Sequence, residues 1–565
     1  MGAFLRQRAH EIRPAVRANP SRRGQDGRTL RRRALMIVLG AALAFVLVSA
    51  RLVELSLKGV HAPLLSQVEA PPSNYARPDI VDRNGRLLAT DVAVPSLYAD
   101  PALVLDRDEA AEKLAAVLPG LDQEELRRDL AVKSRRFVWV RRGLAPRLAQ
   151  AAHDLGLPGF GFRNELRRAY PLEPLAAEVI GSVDTDNRGR AGLERYVDSA
   201  IGIDGVHGAT LSGRVPVRLS LDTGVTHSLR DELATALRRF GARAAAGLVM
   251  DVDTGEVVAT ASIEREPQPT RAHKEAIDRV AGGTYELGSL FKIVTVAMAL
   301  DGGKRGIGSI LDVTKPLVAG RYTIEDPHPA GRPLTLSEVF TLSSNVGAGL
   351  LALEAGPERQ KEFLDRLGLL MPMITEAGAV AEPLVPGQFG RAEQITVAYG
   401  HGLAVAPIQF AAAAASIING GERVLPTYLS SIGQPQPVRG RTLSAAASSR
   451  MRELMRLNVT EGTGKRAGVP GYDVGGKTGT AEMADKGGYA EKRVIASFLA
   501  AFPMKSPRYL VLVSLFEPHG TPETDGDVTA GTNAAPTAGR IIARIAPQLG
   551  VFPDTGKVAE LGLGE

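Results

Sequence analysis

Cysteine is absent from the 565 residues. That excludes disulfides, thiolate zinc sites and cysteine nucleophiles. It suits an extracytoplasmic compartment without requiring one. No fixed-period repeat runs through the chain, so a solenoid or propeller is not expected. Basic charge is also missing once the first 33 residues are set aside. Those residues hold ten arginines against Glu11 and Asp26, a net of +8, whereas the whole chain carries +6 and residues 34–565 therefore sum to −2. A basic surface for nucleic acid is not expected. What is present suits two or more globular domains: 44% hydrophobic and 23% charged residues, with 61 Gly and 36 Pro.

Residues 34–50, ALMIVLGAALAFVLVSA, form an uncharged apolar run. Carried past Arg51 to Leu52 and Val53, it reaches about 30 Å as a helix, enough to span a bilayer. The arginine block on one side places residues 1–33 in the cytoplasm and the chain beyond residue 54 outside. A cleaved signal peptide is the rival, because Val48-Ser49-Ala50 resembles a cleavage site. The run is longer than a usual signal core, however, and Arg51 would directly follow the cut. An uncleaved anchor over 34–53 is the expectation.

After a linker at 70–75, the Asn84-Gly85 turn between apolar alternations predicts strand, turn and strand. Residues 108–155 have amphipathic helical periodicity. A strand is expected over 216–221 and a helix over 223–240. Two strands then flank a turn at Asp253-Thr254-Gly255, and two more cover 494–502 and 509–516. Helical patterns, including 409–419 and 443–459, lie between these strand pairs. The segregation predicts an α+β domain, an antiparallel sheet flanked by helices.

The chemistry sits among those helices. Ser289 and Lys292 are three residues apart at a predicted helix start, so hydroxyl and amine share a face. A lysine with the ordinary pKa of about 10.4 is protonated at pH 7; holding it neutral costs roughly 4 to 5 kcal/mol unless burial or a second cation lowers the pKa. Alone, S-x-x-K reads as a cap and a solvated lysine. Ser343-x-Asn345 alone reads as a helix cap, and the segment 475–479 as a turn. Each motif, S-x-x-K, S-x-N and K-T-G at Lys477-Thr478-Gly479, nevertheless occurs once, in that order, 54 and 134 residues apart. The three together mark serine acyl transfer to or from a peptide or β-lactam. In that chemistry Ser289 attacks and Lys292 takes its proton. Ser343 relays the proton to the leaving amine, and Lys477 supplies the positive charge that lowers the Lys292 pKa. The glycine-flanked strand through Gly479 lets an extended peptide pair along it, with Thr478 and Thr480 holding a terminal carboxylate and Asn345 bonding the substrate amide. The segment 471–478 also matches the phosphate-binding pattern G-x-x-x-x-G-K-[ST], but no buried strand precedes it.

At these residues the chain resembles the class B penicillin-binding proteins, membrane-anchored D,D-transpeptidases of peptidoglycan synthesis, and most closely their division-specific FtsI-type branch; the elongation branch is the near rival. The likeness covers roughly residues 76–545 and includes the opening motif at 77–89 and later blocks at 168–198, at 399–409 with 419–421, and at 498–503. It implies an elongated pedestal domain before a penicilloyl-serine transpeptidase domain: tail 1–33, transmembrane helix 34–53, pedestal 54–240, transpeptidase domain 241–550 and tail 551–565. It implies that Ser289 is acylated by the penultimate D-Ala of a stem peptide, with the backbone N–H groups of Ser289 and Thr480 as oxyanion donors. β-Lactams are implied as inhibitors, and a SEDS-class glycosyltransferase and other divisome membrane proteins as partners. Neither metal nor cofactor is implied. The location implied is the bacterial inner membrane, with the catalytic domain in the periplasm. Leu287, Asp278 and Pro78 depart from the family's usual proline, asparagine and glycine. A β-lactamase or β-lactam sensor would share Ser289 and Lys292, but a class A hydrolase needs an E-x-x-x-N carboxylate, and Glu453 to Asn458 has the wrong spacing. A division scaffold with a vestigial site is the non-enzyme alternative.

Overall fold

The computed structural model describes residues 36, 39, 42–50, 77–201, 215–265, 277–320, 322–431, 440–483 and 493–554. Residues 1–72 form one unit and residues 73–565 another. In the first, residues 42–50 are helical. Among the described residues no helix is long and apolar enough to cross a membrane. The expected basic tail 1–33 and much of the expected span 34–53 lie outside the described residues, as do all of 54–76 and most of the tail 551–565.

The second unit begins with a small α/β lobe. Strands β1 (Ile80–Val81) and β2 (Leu87–Ala99) pair antiparallel around the Asn84-Gly85 turn. The Asp82 carboxylate fixes that turn by accepting from the Asn84 and Arg86 N–H groups. Helices α1 (Arg107–Val117) and α2 (Gln123–Ala131) start at Asp106 and Asp122, whose side chains cap the first-turn N–H groups. The helical periodicity expected over 108–155 is broken by β3 (Val138–Arg141) before α3 (Pro146–Asp154). The run Val138-Trp139-Val140 has the β-branched and aromatic character of a strand, and β3 pairs with β2. Strand β4 (Phe160–Ala169) covers the other side of β2. Helix α4 (Gly192–Ile201) follows, and β5 (Val217–Arg218) returns to pair parallel with β1.

Helix α5 (Thr223–Arg239) leads into the larger sandwich. Its sheet contains β6 (Ala244–Asp251), β7 (Val257–Glu264), β8 (Gly475–Glu482), β9 (Val494–Phe502) and β10 (Tyr509–Phe516), all antiparallel in the order β8-β9-β10-β6-β7. Period-two alternation explains why β10 is apolar throughout. Leu510, Leu512 and Phe516 enter one core, while Tyr509, Val511, Val513 and Leu515 enter the other. The first core is covered by helices α6 (Lys292–Asp301), α7 (Leu336–Thr341), α8 (Asn345–Ala355), α9 (Pro407–Ile418) and α10 (Ala445–Thr460), and the second by α5 and α11 (Ala534–Ile545). Val225, Leu229 and Leu233 of α5 pack with Val249 and Val513. The compositional boundary at 240 therefore falls inside a packed layer, and α5 belongs to the sandwich. Lys477 is paired in mid-strand opposite Leu499, which rules out a phosphate-binding loop at 471–478.

Candidate active site

Ser289 lies in a 3-10 turn (Gly288–Phe291) that runs directly into α6 at Lys292. The turn brings Lys292 Nζ to 2.9 Å from Ser289 Oγ. Lys292 Nζ also lies 2.6 Å from the Ser343 carbonyl, 2.7 Å from Asn345 Oδ1 and 3.1 Å from Ser343 Oγ. An ammonium has three protons for these four oxygens. The carbonyl and amide oxygens can only accept, so a neutral amine donates its two protons there and turns its lone pair to a hydroxyl, an arrangement suited to receiving the Ser289 proton. Burial is the main cause that drives the Lys292 pKa well below the ordinary lysine value, the Lys477 charge adds to it, and Asp326 opposes. Burial and a second cation, the two causes expected from the sequence, both act, and desolvation is the larger.

Lys477 stands in the middle of β8, fully buried, with Nζ 3.0 Å from Ser343 Oγ and 3.2 Å from the Thr478 carbonyl. Burial lowers its pKa to about 7. Ser343 Oγ thus bridges the two lysines. Ser343 adopts a left-handed φ of 63°, and the next residue, Ser344, caps α8 by accepting from the Gly347 N–H at 2.8 Å. The cap and the site are therefore both present, on adjacent serines. The positive φ separates their directions.

Two glycines permit the close approach of β8 to the nucleophile turn. A Cβ on Gly479 would lie 2.5 Å from the Leu287 carbonyl, and one on Gly288, at φ +52°, would lie 2.5 Å from the Thr480 carbonyl. The backbone around Ser289 therefore runs against that of Thr480. Leu287 is buried, so its departure from proline leaves a packed side chain. Asp278 accepts from the Val280 and Ala281 N–H groups, as an asparagine oxygen would. The Pro78 carbonyl accepts from Arg168, a contact that does not depend on the side chain at position 78.

A cleft of about 770 Å³ joins these parts and is lined by Ser289, Ser343, Asn345, Thr478 and Thr480. Four further groups belong to the site, of which Asp326 and Thr463 had no motif to mark them. Asp326 accepts from the Asn345 and Val346 N–H groups at 2.5 and 3.0 Å and from Ser344 Oγ at 2.6 Å, anchoring the S-x-N segment. Thr463 Oγ1 lies 2.7 Å from Thr478 Oγ1, and Asn458 Nδ2 donates to the Gly476 carbonyl. His401, in the cleft wall, has Nδ1 2.9 Å from Glu286 Oε2. Glu453 instead pairs with Arg450 on the surface. It does not line the cleft.

The chain matches the penicillin-binding protein transpeptidase domain over residues 245–543 and the penicillin-binding protein dimerisation domain over 72–210. It is 39% identical over 488 residues to the probable peptidoglycan D,D-transpeptidase FtsI of Caulobacter vibrioides, covering 84% of this chain and 82% of the relative. The transpeptidase domain of Burkholderia pseudomallei penicillin-binding protein 3 superposes with a TM-score of 0.54 at 30% identity, over 60% of this chain and 97% of that one. Penicillin-binding protein 3 of Mycobacterium tuberculosis, complexed with aztreonam, superposes with a TM-score of 0.63 at 25% identity, over 85% and 98%. With a serine beside a buried amine at the mouth of the cleft and both family domains in order, the chain belongs to the penicillin-binding protein transpeptidases, as a class B member of the FtsI type.

Proposed function

We propose that this serine D,D-transpeptidase cross-links peptidoglycan at the division septum, with the residues of the cleft in the following roles. Ser289 Oγ attacks the carbonyl carbon of the penultimate D-Ala while the neutral Lys292 amine takes its proton. The oxyanion accepts from the backbone N–H groups of Ser289 and Thr480. Collapse breaks the peptide bond, and Ser343 Oγ passes a proton to the departing D-Ala nitrogen. An amine of a neighbouring stem peptide then attacks the Ser289 ester, forming the cross-link and releasing the serine. Thr478 and Thr480 hold the terminal carboxylate, drawn by the charge of the buried Lys477 behind them, and Asn345 holds the substrate amide. A β-lactam enters the same sequence and stops at the ester. The observation that carries the reading is the buried Lys292 amine, whose surroundings suit the neutral form.

Labelling with a fluorescent penicillin tests it. Wild type takes a stable label and Ser289→Ala takes none. Label retained by that variant, or rapid release of hydrolysed penicillin by wild type, would refute the mechanism.

The proposal extends to topology and partners. Residues 34–53 anchor the chain in the inner membrane with 1–33 in the cytoplasm, supported by the apolar run and the flanking arginines. The lobe at 77–218 offers a surface for a SEDS-class glycosyltransferase and other divisome proteins. In spheroplasts, external protease should degrade the catalytic domain; protection of that domain would overturn the orientation.

A further inference from the structure

The cleft is polarised along β8. Side chains of a strand alternate, and Thr478, Thr480 and Glu482 line the cleft while Lys477, Gly479 and Ala481 are buried in the opposite phase. Lys465 and Arg466 line the cleft at the end where Thr463 meets Thr478. Glu482, the last residue of β8, stands at the other end, and Asp527 also lines the cleft. Glu482 is exposed and forms no ion pair with a described residue.

We infer that Glu482 is a specificity residue for the donor strand: its carboxylate receives the ammonium group carried by the stem-peptide residue two before the terminal D-Ala. The inference rests on the transpeptidase reading. If Thr478 and Thr480 hold the terminal carboxylate, the donor runs antiparallel to β8 along its free edge, away from the cationic end. Two residues of an extended chain span about 7 Å, and the same interval separates Thr480 from Glu482 on β8. The residue two before the donor terminus thus comes opposite Glu482. In the proposed pairing that residue carries the cation. Cross-linking consumes an amine on a neighbouring stem peptide, and donor and acceptor strands are copies of one polymer, so the donor carries the same amine. A peptide with a carboxylate at its end and an ammonium two residues back is the charge complement of this cleft, and it binds in one direction only.

Acylation by paired probes tests the assignment. One pair is a peptide thioester donor ending in D-Ala, with lysine before it either free or Nε-acetylated. The other is a penicillin with an ammonium or a carboxylate on its side chain, which occupies the place of the preceding peptide. Wild type should favour the cationic member of each pair about two- to fivefold, the range of a solvent-exposed ion pair. Glu482→Gln should bring the ratio near one, and Glu482→Lys should invert it. A residue that merely supports the fold would lower both members alike. An unchanged ratio in Glu482→Lys, in a protein that still takes penicillin on Ser289, overturns this inference and leaves the transpeptidase reading standing. A wild type that takes no penicillin at all overturns both.

Discussion

Lys292 and Lys477 are two buried amines joined through one hydroxyl, Ser343 Oγ, and they are given different tasks by their surroundings. Lys292 faces two oxygens that can only accept and one nucleophilic hydroxyl, which suits the neutral amine. Lys477 must be protonated to attract a carboxylate, and burial brings its pKa down to about 7. The sign follows: the Lys477 cation is present below that value and lost as pH rises through it. The second-order constant for acylation by benzylpenicillin should therefore fall as pH climbs through about 7. In Lys477→Arg the guanidinium stays charged and this basic limb should vanish from the pH profile, whatever the absolute rate. A limb at the same pH in the variant would assign it to another group.

At the scale of elements, the site is a meeting of a 3-10 turn, a helix cap and an edge strand. The turn places Ser289 and Lys292 on one face, a relation that a spacing of three residues already announces. The contact between turn and strand depends on Gly479, because any Cβ there meets the Leu287 carbonyl and the Leu290 side chain. Gly479→Ala should push β8 away from the nucleophile. A displacement of about 1 Å costs on the order of 100-fold in rate. Stopped-flow acylation is the measurement, with circular dichroism to establish that the variant is folded. The elements themselves were largely legible. The turn at 84–85 follows from the Asn-Gly pair, and the strands at 494–502 and 509–516 and the helix at 409–419 from apolar spacing. Strand β3 was not, because its four residues interrupt a longer helical pattern. Asp326 and Thr463 were invisible for a different reason: each acts through a partner, at Asn345 and Thr478, that is remote in sequence.

Across the whole molecule, the N-terminal lobe is tied together by charges gathered from four segments. Arg77 Nε donates to Glu194 at 2.9 Å and Arg168 Nε to the same carboxylate at 2.6 Å, while Asp91 accepts from the Arg77 and Asn187 nitrogens and pairs with Arg168. Arg77 also pairs with Asp198. Glu194 is fully buried. Removing one member of such a network leaves the others uncompensated, at about 3 to 5 kcal/mol. Glu194→Ala should thus lower the denaturation midpoint and expose residues 77–201 to limited proteolysis. Penicillin labelling of Ser289 should survive at low temperature, since the core beneath α5 and α11 contains no residue of the lobe, although the other core extends to Leu193 and Val197. Unaltered stability would make the network a bystander. The sequence by itself determined what depends on neighbours along the chain: the absence of thiol chemistry, the strand and helix periods, and the pairing of Ser289 with Lys292. Only the tertiary structure decided that Ser343 and Lys477, 54 and 188 residues beyond Ser289, close around the same amine, and that this amine is buried. Spacing along a backbone is a local property and leaves its mark in the order of residues. The protonation state of a lysine depends on how much water and charge surround it, and those are set by segments brought together from across the fold.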